Sequence, residues 1–516
     1  MRDMTSSQSS LPVTQRTSSS EEQIFNSETL RYHLNLLKSP NLTSDTEEAS
    51  LTPIIKICVL ANRQAASRIP QFGLLAGESN ALDSLELCQD PKFSDSSDDP
   101  RLLFNVTPPS STFLCGSQGS GKSHTLSCML ENCLIPSKAG KLPKPLTGLV
   151  FHYDTFISDQ TGSPCEAAFL SSHPDVKVRV LCSPTNVHSI RGAYSRLNVQ
   201  VEALQIDQKD LNTRRMMDLM ALGQENGSMP LYMHTIKRIL REMRISQQET
   251  RTAFDYKSFK QRVLEADLTP AQLEPLKQRL DTLESFMPRA QTNGYAKRSG
   301  SLGPSGSSWE PMPSRLTIVD LSCPCISPET ACSLFNVCLA IFLEQNADVG
   351  RVVALDEAHK YMNASTESRM FTDTLLSAIR LQRHLGARII ISTQEPTIST
   401  ALLNLCSVTI VHRFTSPEWL RALHKHLAAT ANETVNSRTR SVESGKDGTT
   451  DESTSLFNRI VRLRVGEALL FSPSAIVDTT IQKNGEVAFH RLGVGFLPIK
   501  IRARLTLDGG KSVLSM

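Results

Sequence analysis

The chain has 516 residues, too many for one ordinary core, and its 39% hydrophobic content falls below the globular average, so parts of it are expected to lie outside any core. A formal net charge of +3 excludes a global basic field and leaves only a local stripe for contacting a polyanion. Twelve scattered cysteines without a C-x-x-C pair, no apolar run of membrane-spanning length and no N-terminal apolar h-region predict no membrane span and an intracellular protein, cytoplasmic or nuclear, not secreted.

Residues 1–50 are rich in Ser, Thr, Gln and Glu and read as a disordered tail. An N-terminal extension, 51–101, follows. In it Ile54–Leu60 reads as a strand or the start of a short helix, and 84–101 as an acidic surface loop. The core begins near Leu102, and its first part is assigned to 102–186. Thr112–Cys115 is a short apolar strand leading into Gly116-Ser117-Gln118-Gly119-Ser120-Gly121-Lys122-Ser123, which fits the phosphate-loop pattern G-x-x-x-x-G-K-[ST]. A helix is expected from Ser123, with His124 next on it. In such a loop the backbone N–H groups converge on a polyphosphate at a helix N-terminus. Lys122 is then placed to reach the β- and γ-phosphates of ATP and the Ser123 hydroxyl to ligate Mg²⁺.

Further apolar runs at 148–153 and 176–182 read as strands, and 187–290 as an inserted helical subdomain. Met233, Ile236, Leu240 and Met243 share one helical face, and Thr269-Pro270-Ala-Gln272 has the form of a capping box with proline at the first helical position. A Gly/Ser/Pro linker is expected over 291–313. The core resumes at 314–430 with a strand at Leu316–Leu321. Cys323, Cys325, Cys332 and Cys338 read as structural cysteines and not as a zinc site, because the last two fall in an apolar helix-like stretch.

Val352–Leu355 is a continuous apolar run, the mark of a buried parallel strand, and it ends in Asp356-Glu357. At the carboxyl end of such a strand Asp356 suits the Mg²⁺ water shell, and Glu357 suits orienting or deprotonating an attacking water. An amphipathic helix carrying Phe371, Leu375 and Ile379 precedes the strand Ile389–Ser392. That strand ends in Thr393-Gln394, which would face the γ-phosphate as a polar sensor. After Val408–Val411 come a polar loop at 431–455 and, at 456–516, the C-terminal part of the core and its tail.

The order of phosphate loop, Leu355-Asp-Glu-Ala-His-Lys360, an arginine-bearing helix and Ile391-Ser-Thr-Gln394 resembles the HerA–FtsK superfamily of P-loop ATPases, with HerA the nearest relative suggested and a divergent eukaryotic member the best fit. Leu316–Ser322, Val465–Leu470 and Leu497–Arg504 add to the resemblance, which covers roughly 102–183 and 314–505. It implies an α/β fold: a RecA-like P-loop NTPase core built on a parallel sheet of the additional-strand class. It also implies an oligomeric ring, commonly hexameric, that hydrolyses ATP with Mg²⁺ and moves along duplex DNA. A neighbouring subunit then supplies an arginine. Arg383 is the first candidate, with Arg380, Arg413, Arg502 and Arg504 as others. HerA-type motors carry an N-terminal β-barrel, for which the stretch before Leu102 leaves little room. The competing reading is a nucleotide-dependent scaffold or switch that recruits a protein partner through the helical insertion.

Overall fold

The computed structural model describes residues 31–34, 45–86, 99–155, 162–220, 231–292, 305–345, 348–426, 452–481 and 487–509. Met1–Glu48 and Ala49–Met516 are separate units. In the first, the described residues are helical pieces at 31–34 and from Asp45, and the rest of the expected tail lies outside the described residues. All that follows concerns the second unit.

In chain order this unit contains β1 (Ile54–Lys56), β2 (Phe72–Glu78), β3 (Arg101–Asn105) and β4 (Ser111–Cys115), then helix α1 (Lys122–Leu134). Next come β5 (Gly140–Lys141), β6 (Thr147–His152), β7 (Lys177–Cys182) and β8 (Val199–Ala203), followed by helices α2 (Thr213–Met220), α3 (Leu231–Thr250), α4 (Tyr256–Leu264) and α5 (Pro270–Ser285). The chain returns through β9 (Arg315–Asp320), α6 (Pro328–Glu344), β10 (Arg351–Leu355), α7 (Thr366–Arg380), β11 (Ala387–Thr393) and β12 (Val408–Val411). It ends with β13 (Glu467–Phe471), β14 (Ile476–Ile481), β15 (Val487–Arg491) and β16 (Leu497–Ile501).

One continuous sheet runs β15-β14-β1-β3-β2-β16-β13-β12-β4-β11-β10-β6-β9-β7-β8. From β12 to β8 every neighbouring pair is parallel. Strand periodicity divides the parallel part between two cores. Phe113, Leu149, Phe151, Val353, Leu355, Ile389 and Ile391 face one side with α6, α7 and the insertion. Leu114, Val150, Val352, Ala354 and Ile390 face the other, with α1. The strands are therefore buried on both faces, which is why they read as unbroken apolar runs.

The structure departs from the sequence reading at several places. The 187–290 segment is not helical throughout. It opens with the helix Val187–Ala193 and the edge strand β8, paired parallel to β7, before the helices begin. The described residues of 51–101 hold more strand than their patterning suggests, because β1, β2 and β3 join β13–β16 in a mostly antiparallel extension of the sheet. Strands of three to seven residues leave too short an alternation to recognise. The expected acidic loop begins inside the helix Ser79–Glu86 and ends where the Asp99 carboxylate clasps Arg101 at 2.6 Å; residues 87–98 lie outside the described residues. The end of the 291–313 linker is packed. Trp309 is buried, and Gly306 donates its N–H to Asp207 Oδ2 at 3.0 Å, so close to that segment that a Cβ would meet Asp207 N at 2.6 Å. Most of the polar loop at 431–455 lies outside the described residues, and its end begins the helix Glu452–Arg462.

The insertion packs as an extension of one core. Met233, Ile236, Leu240 and Met243 of α3 and Leu276, Leu280 and Leu283 of α5 are buried in it. The Thr269–Gln272 capping box closes the N-terminus of α5, with Thr269 N donating to Gln272 Oε1 at 3.2 Å. Cys323, Cys332 and Cys338 are buried, and Cys325 is exposed.

Candidate nucleotide site

The loop from Gly116 to Gly121 joins β4 to α1, whose first residue is Lys122, one earlier than expected. Gly121 caps the helix at φ 106°, a left-handed conformation that L side chains rarely adopt. A Cβ at Gly116 would lie 2.7 Å from His412 Cβ and 2.8 Å from Ser120 Oγ, so glycine is required there by close approach. The loop is folded on the Ser117 carbonyl, which accepts from Ser120 Oγ at 2.7 Å and Lys122 Nζ at 3.1 Å. Ser117 N–H and Oγ both donate to the Arg413 carbonyl, at 2.8 and 2.9 Å.

His412 fastens the loop from below. Its N–H donates to Cys115 O at 2.8 Å, its Nδ1–H donates to the Glu467 carbonyl at 3.1 Å, and Nε2 sits 2.9 Å from Thr125 Oγ1 on α1. The ring is fully buried, and burial pushes it down to about 4, so it is neutral. Nothing in the sequence reading singled it out, because its role depends on β12 lying beside β4.

β11 lies between the loop strand β4 and the acidic strand β10. Register pairs Thr393 with Cys115 and Ile391 with Leu355, so all three strands end at one edge of the sheet. Lys122, Asp356, Glu357 and Gln394 meet there. Burial lowers the Lys122 ammonium, while the charges of Glu357 and Asp356 oppose that and favour its charged form. Glu357 has φ 48°, a left-handed backbone in a non-glycine residue, which costs about 1–2 kcal/mol. Its Oε2 accepts from Gln394 Nε2 at 3.3 Å. His359 Nδ1 lies 3.3 Å from the same oxygen and accepts from Gln394 N–H, also at 3.3 Å. That makes Nδ1 the bare nitrogen of a neutral ring, and burial lowers His359 accordingly. His359 stands inside a quoted motif, but its contact with both Glu357 and Gln394 appears only once β10 and β11 are seen side by side.

Asp356 is fully buried. Burial pushes its carboxyl up, but His152 beside it outweighs burial and holds it below the ordinary carboxylate range. Oδ1 has no hydrogen-bond partner among the described residues, so an acceptor is left for the water shell of a cation. Ser123 follows Lys122 in the first turn of α1.

Four expected residues fall elsewhere. Thr393 turns away from the site into its own turn, donating to Glu395 O and accepting from Glu395 N, both at 3.1 Å. Arg383 is exposed in the short helix before β11, at the opposite sheet edge from Gln394. The seven residues of β11 separate the two by about 20 Å, so Arg383 does not join the site of its own chain. Arg502 and Arg504 are committed internally, to Glu131 at 2.7 Å and to Glu166 at 2.5 Å, which removes them as free fingers.

A phosphate loop between strand and helix, an acidic pair on a strand two places away and a polar sensor strand between them define a RecA-like P-loop NTPase fold of the additional-strand class. No known family profile matches the sequence, and no curated protein does. Among solved structures, VirB4 of Thermoanaerobacter pseudethanolicus is similar at 12% identity and TM-score 0.46 over 84% of this chain and 96% of that one. The plasmid coupling protein TrwB, in complex with ADP and Mg²⁺, is similar at 12% identity and TM-score 0.42 over 85% of this chain and 95% of that one. The genome packaging NTPase B204 from Sulfolobus turreted icosahedral virus 2, in complex with ATP-gammaS, matches at 14% identity and TM-score 0.20 over 34% of this chain and 67% of that one. Likenesses at these levels carry no argument about activity. The resemblance to the HerA–FtsK superfamily rests on the motifs and on the strand order.

Proposed function

We propose that the chain binds Mg·ATP and hydrolyses it as an oligomeric motor of HerA–FtsK type acting on nucleic acid, with duplex DNA the first polymer to test. The observation that carries the reading is the convergence of Lys122, Asp356, Glu357 and Gln394 where β4, β10 and β11 end. The loop from Gly116 to Lys122 cradles the phosphates with its backbone N–H groups other than those of Ser117 and Ser120, which are bonded within the fold, and Ser123 and His124 continue the cradle on α1. Phosphate oxygens replace the Ser117 carbonyl as the partner of Lys122 Nζ. Glu357, oriented by Gln394, holds the attacking water in line with the γ-phosphate and accepts its proton. Ser123 and Asp356 would hold Mg²⁺, which would supply positive charge to offset that on the phosphate oxygens. Arg383, distant from the site of its own chain, acts on a neighbour's nucleotide in a ring.

A surface on the insertion supports contact with a polyanion. Lys237, Arg238, Arg241 and Arg244 are exposed along α3, where spacings of three and four residues put them on adjoining faces.

The test is direct. Glu357→Gln is expected to bind Mg·ATP while turnover falls by about 100-fold or more, and Lys122→Ala to lose binding. Undiminished turnover in Glu357→Gln removes that residue from the mechanism. Nucleotide binding that recruits a protein, with no effect of DNA or RNA on turnover, replaces the motor by a switch.

A further inference from the structure

A second constellation lies against Asp356. Asp356 N–H donates to Phe151 O at 3.0 Å, so β6 and β10 end side by side and His152 comes next to the carboxylate. The chain beyond β6 returns to Cys165, whose N–H donates to Tyr194 Oη at 2.9 Å, while that hydroxyl donates to Asp320 Oδ2 at 2.6 Å. Cys165 is thus held from behind by a buried pair. Its Sγ is 3.6 Å from Asp356 Oδ2, and His152 Nδ1 is 3.3 Å from the same oxygen. All three side chains are buried, with their donor atoms within 4.8 Å of one another.

The His152–Asp356 contact has the distance of a hydrogen bond without its direction. Both ring nitrogens of His152 and Asp356 Oδ1 are buried with no hydrogen-bond partner among the described residues. Such atoms are costly unless something satisfies them. The spacings suggest what does. A tetrahedral ion with nitrogen and oxygen ligands at about 2.0 Å and sulfur at about 2.3 Å has N···O and S···O edges of about 3.3 and 3.5 Å. The observed edges are 3.3 and 3.6 Å. One imidazole, one thiolate and one carboxylate also suit a borderline-soft ion far better than Mg²⁺.

We propose that His152, Cys165 and Asp356 form a binding site for a divalent transition ion of the zinc class, with the fourth position left to a small oxygen ligand. Binding exchanges protons for metal bonds. The S–H bond of Cys165 breaks, an S–metal bond forms and the proton leaves to solvent, and any proton on the coordinating nitrogen of His152 leaves in the same way. Asp356 engages this ion through Oδ2 and keeps Oδ1. Two dications sharing one carboxylate repel, so occupancy of this site weakens Mg·ATP binding.

The experiment uses the full chain, stripped with a chelator and titrated with Co²⁺ without nucleotide, which separates the result from ATP hydrolysis. The expected result is a set of tetrahedral d–d bands with a thiolate-to-cobalt charge-transfer band, saturating at one equivalent and discharged by Zn²⁺. Cys165→Ala is expected to lose the charge-transfer band. His152→Gln is expected to keep it and to weaken Co²⁺ binding by about tenfold or more. Where Cys165→Ala lacks the wild-type thermal transition, the isosteric Cys165→Ser is read instead. Absence of the band in the unaltered protein, or its full retention without the Cys165 thiol, overturns the proposal and leaves His152 as a counter-charge for Asp356.

Discussion

His412 shows what one buried side chain does for the nucleotide loop. Its three hydrogen bonds hold Cys115, Thr125 and the Glu467 carbonyl together beneath Gly116. Its pKa falls from 6.5 in the ordinary case to about 4 in the folded chain. Between those values the unfolded chain binds a proton that the native state refuses, so stability rises with pH across that window and is lost as pH falls through it. The expected loss is about 1.4 kcal/mol per pH unit, roughly 3 kcal/mol in all. Urea unfolding at pH 7 and pH 5 should show it, and His412→Gln should flatten that part of the profile. Lys122, Asp356, Glu357 and Gln394 were legible because short motifs carry them. His412, His152 and Cys165 were not, since their partners lie on other strands and no local spacing marks them.

At the scale of elements, α1 is buried nearly all round. One side meets the sheet, and the other is covered by residues 502–509. Glu131 gathers that cover. Fully buried, it accepts from Arg502 Nη1 at 2.7 Å, from Thr506 Oγ1 at 2.6 Å and from the N–H groups of Leu505 and Thr506. Arg502 also donates to the Leu74 carbonyl at 2.7 Å, tying β2 to the same point. Glu131→Ala leaves a buried guanidinium without its carboxylate and is expected to cost about 3–5 kcal/mol, read as a lowered denaturation midpoint. Replacing Arg502 and Glu131 together with apolar residues should cost less than either single change. The central parallel strands and the helices α3, α5 and α7 were readable from apolar runs and helical periodicity. β2, β3 and β8 were not, and β1 was one of two readings offered for Ile54–Leu60. They are short or half exposed, and long-range pairing forms them more than their own composition does.

For the whole molecule, the near-neutral net charge conceals a local concentration of cations on α3. If that surface meets a duplex, DNA-stimulated turnover should fall steeply with salt. Alanine at Lys237, Arg238, Arg241 and Arg244 should then reduce the slope of log affinity against log salt by roughly 0.9 for each phosphate no longer neutralised. An unchanged slope would place the polymer elsewhere. The parallel half of the sheet was foreseeable from the alternation of strand and helix signals. Its mostly antiparallel continuation was not, because it joins segments more than 400 residues apart, such as the parallel pair Ile55 with Ile476 and the antiparallel pair Ala76 with Ile501.

That interleaving has a consequence for biosynthesis. The ribosome releases β16 last among the strands, so Ala76–Glu78 of β2 waits with an unsatisfied edge while more than 400 residues are translated. A nascent chain in that state offers a template for mispairing. Premature termination between Gln394 and Leu497 would make the exposure permanent, and such fragments should be found with chaperones or in aggregates although every nucleotide motif is present in them.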